Sequence, residues 1–161
     1  MRQLIGVIVN ALREAGVFAC RGGKGCRMEP PDGAVTAVML KSAECEGVPR
    51  FDYLGTREQE DGSLLPVYGA RVKTVIALQV IAPATAGDAA VMEQADALTV
   101  LLAQGIPGVR STGFRLGEYR FDPESDTVSR TLELSVSAYV YAAANADETE
   151  FTDFILKGEL Q

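Results

Sequence analysis

Three cysteines and no histidine limit the chemistry open to this chain. Without an imidazole, a serine or cysteine nucleophile lacks its usual general base. Cys20, Cys26 and Cys45 contain no Cys-x-x-Cys pair and make a poor zinc set without histidine. They read as reduced, structural thiols that fill space as small hydrophobes. The run Arg21-Gly-Gly-Lys-Gly has a superficial likeness to a phosphate-cradling loop. Phe18 stands where such a loop needs its first glycine, and Gly25 replaces the magnesium-binding hydroxyl. A flexible basic loop is the better reading. Asp122, Glu124 and Asp126 flank Pro123 in a turn, where acidic residues are common, and the full ligand series of a calcium loop is missing. No pair of carboxylates stands in a recognisable acid–base setting. The sequence therefore nominates no catalytic, cofactor-binding or metal-binding residue.

The polar residues suit recognition better. Arg110, Arg115 and Arg120 are spaced along one segment, and Tyr139 and Tyr141 lie close together in another. Two readings are open for the arginines. They can form a solvated face pairing with Glu118 and Glu133 across strands, each pair worth little. They can also anchor a subunit contact, since arginine and tyrosine are enriched at interface centres. The tyrosine pair moves the balance toward the contact.

These residues need elements to position them. Residues 130–142 alternate for a dozen positions, with Leu132, Leu134, Val136, Ala138 and Val140 on one face and Thr131, Glu133, Ser135, Ser137, Tyr139 and Tyr141 on the other. That period specifies a long strand with one face in a core. Residues 112–121 form its partner arm. Phe114 and Leu116 share one phase, Tyr119 and Phe121 the other, and a bulge at Gly117 accounts for the slip. With the turn Asp122-Pro-Glu-Ser-Asp, the segment 112–142 reads as one long hairpin. Val67 to Ala82 is a second strong strand; both its faces turn apolar from Val75 onward, which predicts a central strand covered on both sides.

Two helices complete the pattern. Leu4, Ile8, Leu12 and Ala15 make a stripe over residues 2–15, closed by Gly16. Thr85-Ala-Gly-Asp88 has capping-box spacing ahead of Val91, Ala95, Leu98 and Leu102, and Gly105 closes that helix. Shorter strands are predicted at Val17–Cys20, Ala34–Ala43, Phe51–Leu54 and Phe151–Leu156, the last reached through an acidic loop, Asn145 to Glu150. Residues 21–33 read as loop, and Arg57–Gly62 as an exposed hairpin tip or a loop that orders on assembly. The fold class is α+β: a mixed, mostly antiparallel sheet with two helices on one face and a long C-terminal hairpin.

The 161 residues suit a single domain spanning 1–161. A formal net charge of −7 argues against holding nucleic acid by phosphate neutralisation and against docking on an anionic membrane. The first residues lack the pattern of a signal peptide, and no run approaches membrane-spanning length, so cytoplasmic synthesis is expected.

The hairpin from Phe114 to Tyr141 resembles the end of a phage tail terminator, or tail completion, protein. There a tight acidic turn precedes a strand of the form Arg-x-Leu-x-Leu-x-Val-x-Ala-x-Val, matched here by residues 130–140. The ending Phe151-Thr-Asp-Phe-Ile-Leu-Lys-Gly-Glu-Leu is similar to prophage tail proteins. The likeness covers most of the chain in element order and the last third in residue pattern. It implies a non-enzymatic virion subunit, made in a bacterial host, that forms a homohexameric ring on the head-proximal end of the tail tube. Such a ring ends tube polymerisation and meets tail tube protein, sheath protein and the head–tail connector or stopper; DNA passes through without specific binding. No cofactor is implied. On this reading Arg21, Lys24 and Arg27 belong to a loop that orders on docking, as does segment 55–64, and Arg110, Arg115, Arg120, Tyr139 and Tyr141 join the interface. A different collar component, a tail tube subunit, or a small α+β enzyme or ligand-binding protein remain the alternatives.

Overall fold

A computed structural model describes residues 2–22, 33–45, 52–143 and 155–157. The elements run α1 (Arg2–Glu14), β1 (Ala19–Arg21), β2 (Val35–Cys45), β3 (Asp52–Glu58), β4 (Leu64–Pro83), α2 (Gly87–Gln104), β5 (Ser111–Asp122), β6 (Thr127–Ala143) and β7 (Ile155–Lys157). Among the described residues, all seven strands join one sheet, ordered β1-β2-β4-β6-β5, with β3 added to β4 and β7 to β6. Only the β1–β2 pairing is parallel. The α+β class and the helices on one face are as the sequence predicts.

Period-two alternation becomes layering through the register. Val72, Thr74, Ile76, Leu78 and Ala82 of β4 stand opposite Ala138, Val136, Leu134, Leu132 and Val128 of β6. These pairs form the face on which both helices lie. Ile8, Val9 and Leu12 of α1 and Val91, Ala95, Leu98 and Leu102 of α2 join them in one core. Burying a side chain such as Ile8 or Leu98 in this way contributes about 1.5–3 kcal/mol. One buried hydroxyl in this layer, Thr36 of β2, accepts a hydrogen bond from Gln94 Nε2 of α2 at 2.7 Å, so it is not left unsatisfied.

The opposite face is half-open. Val75, Gln79 and Ile81 are partly buried, so β4 is central but not covered on both sides by the described residues. Ala77 is buried on that face. Lys41 and Glu133, from the strands flanking β4, form an ion pair across the sheet there. The small Ala77 side chain leaves room for that bridge. Cys20 packs nearby with Val35, Ala37 and Ile81.

Helix ends follow the sequence in part. Gly16, at φ 81°, donates its N–H to the Arg13 carbonyl, and Gly105, at φ 88°, donates to Leu101 and Leu102. The capping box does not form. A short 3₁₀ turn, Ala84–Ala86, precedes α2, whose N-cap is Ala86 without a side-chain cap. Asp88, freed from that role, bonds Tyr119 instead. β3 is also longer than predicted and carries Arg57 and Glu58 as strand residues, with a register shift at Gly55. Pairing to the long β4 extends it past the reach of its own weak pattern. The remaining tip closes through Asp61, whose Oδ1 accepts from the Ser63 N–H and hydroxyl.

The two flanking strands on each side of the β4–β6 pair are stacked end to end. β2 pairs with residues 72–81 of β4 and β3 with residues 64–69. Likewise β5 pairs with residues 127–136 of β6 and β7 with residues 139–141. The twenty residues of β4 span roughly 65 Å, so the sheet projects beyond the helices as an arm. On that arm Tyr53 and Tyr68 meet edge to face, ring centres 5.9 Å apart, both exposed.

Candidate functional site

β5 is the last strand on its side of the sheet and, among the described residues, pairs only with β6. Every residue in it is exposed except the half-buried Gly117. A free edge of twelve residues is a template for another strand unless something blunts it.

The bulge gives this edge its composition. Leu116 stands opposite Leu132 and Tyr119 opposite Arg130, so three steps on β5 match two on β6. The extra residue falls at Gly117–Glu118, where the sequence places it. A Cβ on Gly117 would lie 2.8 Å from the Thr131 carbonyl oxygen, which explains why the closest residue there is glycine. Residues that alternation alone puts on opposite faces are thereby brought to one. Phe114, Leu116, Tyr119 and Phe121 face Leu134, Leu132, Arg130 and Val128, all on the helix side of the sheet. They are 37, 36, 36 and 55% exposed. α2 stops short of covering them. Its flank meets the row through Asp88, which accepts a hydrogen bond from the Tyr119 hydroxyl, and through Met92, whose sulfur lies 3.3 Å from an Arg130 nitrogen. The bond to Asp88 is the main reason the Tyr119 phenol is pushed up to about 12. The carboxylate beside it also disfavours phenolate by repulsion.

The other face of β5 is charged. Arg115 stands opposite Glu133 and Arg120 opposite Ser129. Glu133 takes its hydrogen bond from Lys41, and Arg115 adds a weaker attraction; together they hold its carboxyl below the usual carboxylate range against some desolvation. Arg115 and Arg120 thus keep their guanidinium groups at the surface. Arg110 lies just before β5, exposed, with its carbonyl accepting the Ser137 N–H at 3.0 Å. The hairpin turn is fixed by Asp122, whose carboxylate accepts from the Glu124 N–H and the Ser125 hydroxyl. Those two bonds hold its carboxyl below the usual carboxylate range.

The predicted contact residues are thus split between places. Arg110, Arg115 and Arg120 come together along the β5 edge. Arg21 ends β1, at the far edge, and its guanidinium lies over Gly6 of α1. Lys24 and Arg27 lie outside the described residues, as does Cys26. Tyr139 and Tyr141 stand in β6 opposite Arg71 and Gly69 of β4 and opposite Lys157 and Ile155 of β7, on the arm rather than beside the arginines. Their side chains lie outside the description. The aromatic row on β5 is not among the contact residues that residue type alone nominates. Its signal was in the sequence: a bulge at Gly117 puts both phases of the arm on one face.

No protein-family model matches the chain, and no curated protein matches its sequence.

Proposed function

We propose that this chain is a structural virion protein that caps the head-proximal end of a phage or phage-like tail tube as a ring. It ends tube polymerisation there and joins the tail to the head connector. The supporting observation is the β5 edge, twelve residues long, with an aromatic row on one face and Arg115 and Arg120 on the other. Such an edge favours a role in contacts between chains. The opposite side of the sheet ends in β1 and β3, which are short and differently composed. Unlike surfaces on the two sides suit a heterologous contact, the kind that closes into a ring. The resemblance of residues 114–141 to tail terminators supplies the tube as partner.

The test is polymerisation of tail tube subunits with and without this chain, followed by electron microscopy. Capping predicts tubes of limited length with a ring at one end. Tubes that grow equally long and bare in its presence overturn the reading.

A further inference from the structure

We infer that two free copies of this chain join edge to edge through β5, antiparallel about a two-fold axis at Leu116. This goes beyond the ring reading above and does not rest on it. A two-fold contact needs a surface that complements itself, because every pair across the axis occurs twice. The β5 edge has that property in one register, and its bulges set which one. Gly117 and Glu118 stand where β6 has a single residue, between the helix-side Leu116 and Tyr119. A strand added on the outer side meets the same excess, two residues against one of its own.

With Leu116 facing Leu116 of the second copy, Arg115 stands opposite the Gly117–Glu118 step of that copy. Phe114 then faces Tyr119, and Gly113 faces Arg120. Thr112 is a second extra residue, since Ser111 pairs with Val136 and Gly113 with Ser135. Ser111 therefore faces Phe121, and Arg110, whose carbonyl holds the Ser137 N–H, faces Asp122. On the helix side the exposed leucines and aromatic rings meet one another. On the other face Arg115 meets Glu118 and Arg110 meets Asp122, each pair twice, and no like charges stand opposite. The register centred on the bulge itself is poorer, because it sets Arg115 against Arg120. Helix α2 packs on β4 and β6, so the two helices would lie about four strand spacings, or 19 Å, apart. At about 10–12 Å across, they clear each other. The pair removes a free edge of twelve residues from each copy. A ring closed through β5 would use the same edge, so capping requires the pair to open.

Sedimentation velocity on the full chain tests this, with thermal unfolding to establish that each variant is folded. The wild type is expected to sediment as a dimer. Residue 116 meets its own copy on the axis, so Leu116→Glu and Leu116→Lys are each expected to sediment as monomers. Mixed in equal amounts, the two variants are expected to recover the dimer, because glutamate then faces lysine. Only a residue that contacts itself responds in this way. Should substitution at 116 unfold the chain, charge reversal takes its place. Arg115→Glu and Glu118→Arg are each expected to raise the dissociation constant roughly thirty-fold, two pairs being reversed in every dimer. Both reversals in one chain are expected to restore it to within about three-fold of the wild type. A monomeric wild type, a dimer that these substitutions leave intact, or failure of the mixture and of the doubly reversed chain to recover overturns the pairing.

Discussion

Single residues here act through what the fold puts beside them. Asp88 reads in sequence as the closing member of a capping box, yet it bonds Tyr119 across the α2–β5 boundary. Asp88→Ala removes both the hydrogen bond that raises the Tyr119 phenol and the charge that opposes phenolate. The expected result is that the Tyr119 phenol, pushed up to about 12 chiefly by that bond, falls toward the ordinary tyrosine value of about 10 in a near-ultraviolet titration. A phenol unmoved by the substitution would assign the shift to burial alone. Three carboxyls carry the opposite sign. Asp61, Asp122 and Glu133 are held below their ordinary values, chiefly by Ser63, Ser125 and Lys41. Depressed folded values mean these groups stabilise the fold above about pH 4, their unfolded range, and lose that contribution as pH falls through the folded values. Chemical denaturation at pH 6 and pH 3 is expected to give the lower midpoint at the acid end, with Ser125→Ala reducing the difference.

At the scale of elements, the informative feature is the slip in β5. Without the bulge, Phe114 and Leu116 would share one side of the sheet and Tyr119 and Phe121 the other. Glycine at 117 permits it, because any side chain meets the Thr131 carbonyl. Gly117→Val is expected to destabilise the chain by about 1–3 kcal/mol, read from urea unfolding, as an overpacked site does. It should also raise the exchange rate of β5 amides more than those of β4, since the misfit sits at the edge. Stability unchanged within error would mean the bulge relaxes at no cost. Helix α2 shows the converse case, in which pattern suffices: Val91, Ala95, Leu98 and Leu102 recur at helical spacing and all are buried.

On the scale of the whole molecule, the sheet is longer than its helical cover, and the uncovered parts carry the assembly reading. Tyr139 and Tyr141 lie in the arm beside β7 rather than in the helix-covered body. Replacing both by alanine is expected to weaken association in sedimentation while leaving the unfolding midpoint within a degree or two of the wild type. Unchanged sedimentation would remove them from the contact. The sequence by itself determined the α+β class, both helices with the buried stripe of α2, the central strands and the bulge, because each is written in the spacing of neighbouring residues. Only the tertiary structure decided that β5 is an edge, that four large side chains share its helix-side face, and that Arg21 stands across the sheet from Arg115 and Arg120. Strand order and exposure arise from pairings between residues far apart in the chain, which local periodicity does not encode. The lost capping box has that same cause, since Asp88 bonds Tyr119, distant in sequence, whereas the lengthened β3 follows from hairpin pairing with the adjacent β4.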